Sequence, residues 1–157
     1  MKVLLAFYKT QHSKYLSDKI INWWTGNNGY CHVEIFIPDT TKRYTSSGRI
    51  GGVIERDIKS LKSYKNKLED STWKFVEIDV PCLTIEEIEI FYDKTKHHKY
   101  DWFGILGFVL PFKDREDRWF CSEWVATVLK NHNYLPLATK EPSKISPNDL
   151  YKIITEI

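Results

Sequence analysis

The sequence predicts an α+β fold with a mostly antiparallel sheet, and three observations carry that prediction. Runs of β-branched and aromatic residues follow one another closely at Tyr30 to Ile37, Arg43 to Ser46, Val53 to Ile58 and Trp73 to Val80. Segments with helical spacing fall before and after this run of neighbouring strands, which suggests a mostly antiparallel sheet. No internal repeat and no linker divides the 157 residues, so a single domain over residues 1–157 is expected.

In chain order, Val3 to Tyr8 reads as a buried strand. Ser13 to Trp24 places Leu16, Ile20, Ile21 and Trp24 at helical spacing, with Gly26 as a stop signal. Thr25 to Gly29 has loop chemistry, and the strand Tyr30 to Ile37 ends at Pro38-Asp39. Two strands, Arg43 to Ser46 and Val53 to Ile58, are joined across Gly48, Gly51 and Gly52. Lys59 to Asp70 is polar and basic, suited to a surface connection, and Pro81 closes the strand Trp73 to Val80. Thr84-Ile85-Glu86-Glu87 is a capping box for a helix reaching about Lys96. Tyr100 to Phe112 is apolar but broken by Gly104, Gly107 and Pro111, and a charged loop to Arg118 follows. A helix from Cys121 to about Asn131 comes next, and Ser146-Pro147 starts a short last helix.

Composition narrows the function classes. Hydrophobic residues at 42% and charged residues at 28% are ordinary for a globular chain and exclude disorder. A formal charge of +2, without any Lys/Arg-rich block, argues against nucleic acid as a partner. The apolar start is interrupted by Lys9 and lacks a small-residue cleavage site, so it reads as a strand and not a signal peptide. Phe103 to Phe112 is about half the length of a membrane span. Three cysteines, Cys31, Cys82 and Cys121, with no CxxC pair, fit free thiols in a reducing compartment, and a cytoplasmic protein is expected.

Cys121 carries the chemical interest, because it opens an amphipathic helix. Unpaired N–H groups and the positive end of the helix dipole favour thiolate there, and thiolate is the nucleophilic form. A small buried hydrophobe is the alternative reading of such a residue. A nucleophile needs a base, and the chain has five histidines. His132 lies eleven residues along the same helix, roughly 16 Å away, which is out of reach. His12 sits in a polar segment, and His97 and His98 fall at a helix end beside Lys96 and Lys99, where solvation is the simplest account. His32 differs: it lies within a strand, directly after a Gly-rich loop, and shares a face with Glu34 while Cys31, Val33 and Ile35 share the other. Without Cys121, a solvent-facing strand with both side chains in water is the favoured account of the pair. A metal site on Cys31, His32, Glu34 and Cys121 has no ligand-pair spacing to support it.

Gly29-Tyr30-Cys31-His32-Val33-Glu34, followed far downstream by Phe120-Cys121-Ser122-Glu123-Trp124-Val125, resembles the circularly permuted branch of the NlpC/P60 papain-like superfamily, closest to its YiiX/YebB/YaeF-like amidase families. In that branch the histidine strand precedes the cysteine helix, as it does here. Tyr100 to Leu106 and Ser146 to Leu150 agree more weakly, so the resemblance spans about Tyr30 to Leu150. It implies a permuted papain-like fold in which the sheet packs against the helix carrying the cysteine. It also implies Cys121 as nucleophile and His32 as base. Glu34 matches the His-x-Glu form of the third residue, while other papain-like enzymes take it from the next strand, here Tyr44, Thr45 or Ser46. The implied activity is a thiol hydrolase or amidase that cleaves a peptide amide or an acyl ester through a thioester, without cofactor or metal. A lipid acyltransferase and a catalytically silent binding module are the alternatives on the same fold. Trp23, Trp24, Trp102, Phe103 and Trp119 flank these segments as candidate groove residues.

Overall fold

A computed structural model describes residues 1–9, 29–37, 40–57, 72–102 and 117–156. Seven strands form one sheet: β1 (Lys2–Lys9), β2 (Tyr30–Phe36), β3 (Lys42–Ser47), β4 (Gly52–Asp57), β5 (Trp73–Asp79), β6 (Lys99–Tyr100) and β7 (Arg118–Trp119). Their spatial order is β5-β1-β2-β3-β4-β6-β7. Every pairing is antiparallel except the short β6–β7 contact. Three α-helices accompany the sheet among the described residues: α1 (Ile85–Thr95), α2 (Cys121–Asn131) and α3 (Pro147–Thr155). This is the expected α+β class with a mostly antiparallel sheet. The predicted helix at Ser13 to Trp24, the basic connection at Lys59 to Asp70 and the apolar stretch after Trp102 lie outside the described residues.

Local signals explain the helix ends. Thr84 Oγ1 accepts from Glu87 N–H at 3.2 Å and Glu87 Oε2 accepts from Thr84 N–H at 2.8 Å, which closes the capping box of α1. Ser146 and Asp149 repeat the device at α3, with Pro147 as first helical residue. At α2 the cap residue is Phe120, which has no acceptor of its own. Glu123 Oε2 instead takes the Phe120 N–H at 3.1 Å. Two short 3₁₀ turns, Leu135–Leu137 and Pro142–Lys144, were not expected. The charged loop predicted up to Arg118 ends in β7, where pairing with β6 overrides local composition.

The sheet has an apolar cluster on each face. The larger joins Val3, Leu5, Phe7, Val33 and Ile35 to the buried sides of α1, α2 and α3. α2 packs on β2 and β3 from this side, and fully buried Trp124 anchors it by donating from Nε1 to Thr95 Oγ1 at 3.0 Å. A smaller cluster of Leu4, Ala6, Phe36, Trp73 and Phe75 covers part of the opposite face. His32 and Glu34 lie on that second face, because β2 alternates and Cys31, Val33 and Ile35 point to the first.

Candidate functional site

β2 and β3 pair only at Ile35 with Tyr44 and at Phe36 with Arg43, and toward Cys31 the two strands part. Two carbonyls of β2 are left facing the gap, and side chains take both. Thr45 Oγ1 donates to Val33 O at 2.8 Å, and the Cys121 thiol lies 4.0 Å from Cys31 O. Ser46 Oγ donates to Trp119 O at 2.8 Å and so ties β3 to the residues that lead into α2. The parted edge lets the Cys121 thiol, on one side of the sheet, reach the backbone of the residue beside His32.

The Cys121 side chain lies near enough to His32 to act on its ring. His32 Nε2 contacts Glu34 Oε1 at 3.1 Å, which leaves the other ring nitrogen, Nδ1, for the thiol. Glu34 Oε2 in turn accepts from Arg43 Nη1 at 2.5 Å. Burial works against an imidazolium at His32, yet the hydrogen bond and charge of Cys121, then those of Glu34, outweigh it and push the pKa up to about 10. Burial opposes the Glu34 carboxylate too, but His32 first and Arg43 second hold its pKa below the usual value. His32 therefore carries its proton at neutral pH and Glu34 does not.

The structure thus brings Cys121, His32 and Glu34 together, with His32 bonded to Glu34, and it gives the three β3 alternatives other work. Tyr44 is buried on the far face, stacked 6.4 Å from Trp124. Thr45 and Ser46 spend their hydroxyls on the carbonyls of Val33 and Trp119. Arg43 has no place among the sequence candidates although it fixes Glu34. The strand register sets Arg43 diagonal to Glu34 on the same face.

The other histidines sit elsewhere. His132 Nε2 lies 3.6 Å from Glu87 Oε2, and His97 is exposed. His98 is not merely solvated, since its Nδ1 accepts from Trp119 Nε1 at 2.9 Å. His12 lies outside the described residues. Cys31, Cys82 and Cys121 are all free thiols, and no group of three or more potential ligands is arranged to hold a metal among the described residues.

No family model, curated protein or solved structure matches the chain. What the site can do therefore rests on its own chemistry. No helix among the described residues is long and apolar enough to cross a membrane.

A cavity of about 250 Å³ opens on the His32 face. Two aromatic pairs wall it, Tyr8 with Trp73 at 5.1 Å and Tyr100 with Trp102 at 5.0 Å between ring centroids. Gly48 stands against the second pair: a Cβ there would come within 2.9 Å of Trp102 Cη2 and 3.0 Å of Tyr100 Cε1. Trp102 thus takes a place in the cavity wall, whereas Trp119 packs on Phe91 and His98. Trp23, Trp24 and Phe103 lie outside the described residues. His32 and Glu34 reach the cavity, while Cys121 lies behind them without exposed surface.

Proposed function

We propose that this chain is a cysteine hydrolase of the amidase or esterase type, related to the circularly permuted NlpC/P60 papain-like superfamily. The observation that carries this reading is the line Cys121–His32–Glu34, with the cysteine at the first position of a helix. A nucleophile, a base and an orienting carboxylate set side by side are what acyl transfer to sulfur needs. His32 holds the proton taken from Cys121, and Glu34 fixes the ring. The sulfur attacks the carbonyl carbon of an amide or ester, and the resulting oxyanion falls near the Cys121 and Ser122 N–H groups. Those N–H groups stand in the first turn, where helix geometry provides no intrahelical acceptor. Collapse breaks the C–N or C–O bond, and His32 passes its proton to the departing amine or alcohol. Neutral His32 then takes a proton from water, whose oxygen attacks the thioester and releases the acid and the thiolate.

Complete burial of Cys121 favours a second reading, a binding module that keeps the pair without turnover. Attack on a substrate requires the groups covering the sulfur to move, so the two readings differ in whether Cys121 is reachable in the native state. Alkylation with iodoacetamide, followed site by site by mass spectrometry, separates them. Exposed Cys82 serves as internal reference. The hydrolase reading expects Cys121 to label ahead of Cys82 at about pH 6, where ordinary thiols are almost wholly protonated, and His32→Ala to abolish that lead. Labelling of Cys82 alone in the folded protein rejects the hydrolase and leaves the binding module.

A further inference from the structure

The cavity beside His32 is strongly cationic. Arg43, Arg49 and Arg56 all line it, and Glu34 is the one acid among its described lining residues. That carboxylate is committed to Arg43 and His32, and His32 adds a further positive charge while protonated. Arg43 and Arg56 are direct cross-strand partners on β3 and β4, so both project from one face of the sheet. Like charges set directly opposite on a sheet face repel, and an anion between them turns that repulsion into attraction. Arg49 enters from the turn after β3, with its guanidinium 5.7 Å from the Tyr8 ring centroid. The lining thus combines two aromatic pairs with three arginines.

We infer that this cavity selects ligands that bear an anionic group, carboxylate or phosphate, on a flat apolar body, with Arg56 and Arg49 as the residues that set the preference. The inference deepens the hydrolase reading by placing a specificity site next to His32, but it stands on the cavity and its charges, not on the reactivity of Cys121. Arginine suits both anions because its planar fork donates two parallel hydrogen bonds. At about 250 Å³ the cavity lies just below the usual range of small-ligand sites, so it takes one ring or a short side chain and not a polymer segment.

Binding of simple probes tests this without any turnover. Trp73 and Trp102 line the cavity, so their fluorescence reports occupancy. Benzoate, phenyl phosphate and neutral benzamide are titrated into the full chain. The expected result is that at least one anion binds about tenfold or more tighter than benzamide, and which one it is tells carboxylate from phosphate recognition. Arg56→Gln and Arg49→Gln should each remove most of that preference while leaving benzamide binding unchanged. Lys130→Gln on the far end of α2 should leave it intact, which separates a site from the overall charge. Retained far-UV circular dichroism confirms folding, and Arg56→Lys should restore part of the preference. Equal binding of all three probes, no anion binding at millimolar concentration, or a preference untouched by both arginine changes overturns the inference. A selective anion site beside an unalkylatable Cys121 would leave this inference standing and remove the hydrolase reading. A reactive Cys121 with no anion preference would do the reverse.

Discussion

Arg43 Nη1 donates to Glu34 Oε2 at 2.5 Å, so the carboxylate that orients His32 is itself held from the neighbouring strand. Both residues are almost fully buried, at 9% and 5% exposure. A buried carboxylate that loses its cation is left paying its own desolvation, and such losses run to about 3–5 kcal/mol. Arg43→Gln is therefore expected to lower the free energy of unfolding by about 3 kcal/mol, measured by urea denaturation. Arg43→Lys keeps the charge without the fork and should recover part of that loss. A change below about 0.5 kcal/mol in Arg43→Gln would show that the pair does not hold the site together.

Glu34 is expected to act on His32 through charge. Its hydrogen bond and its field both favour the imidazolium, beside the larger contribution of Cys121. Glu34→Gln keeps the shape and removes the charge, so the His32 pKa should fall from about 10 by one unit or more. NMR titration of the imidazole protons reads this directly. An unchanged His32 titration in Glu34→Gln would remove Glu34 from the site.

The two shifts also bracket stability against pH. The folded pKa of His32 is raised above its ordinary 6.5, so its contribution is complete below about pH 6.5 and is lost as pH rises toward 10. Glu34 is shifted the other way: its contribution is present above its ordinary 4.5 and lost as pH falls through its lowered folded value. Both are fully present between about pH 4.5 and 6.5. Stability from this pair should therefore peak in that mildly acidic window, with an alkaline loss on the order of a few kcal/mol. His32→Ala should flatten the alkaline side relative to the parent, and Glu34→Gln the acid side. Denaturation midpoints across pH check both limbs.

Much of this geometry is legible in the chain because periodicity encodes it. Alternation in Tyr30 to Ile37 alone places His32 and Glu34 together and sets Cys31 and Val33 on the core side, as the burial pattern shows. The capping box at Thr84 and the Ser146-Pro147 start need no tertiary information either, since their partners are three residues away. The relation between β2 and β3 is different in kind. Where the two strands part depends on which side chains claim the carbonyls of Cys31 and Val33, and those come from Thr45 and from Cys121, far along the chain. Arg43 was hidden for the same reason. An arginine in a short strand looks solvated until the strand register places it on a buried carboxylate. The cationic cavity collects side chains from β1 to β6 with Trp102, a set that no local window contains.

The seam between β3 and its neighbours yields the last prediction, because two adjacent hydroxyls have separable jobs. Thr45 Oγ1 serves Val33 O in a buried setting, and Thr45→Val removes the donor while nearly conserving volume. A buried carbonyl left without that donor costs about 1–3 kcal/mol, so the variant should lose stability on that scale. Trp119 O has two donors, Ser46 Oγ at 2.8 Å and Asp101 N–H at 3.1 Å, so Ser46→Ala leaves it partnered and should cost only about 1 kcal/mol. Ser46 nevertheless holds the residue two places before Cys121, so its loss removes one of the ties at the start of α2. Ser46→Ala should therefore slow Cys121 alkylation more than Thr45→Val at equal fractions folded, despite its smaller stability cost. Paired measurement of unfolding free energy and alkylation rate decides it: if both variants lose reactivity only in proportion to stability, Ser46 is a structural bond and nothing more.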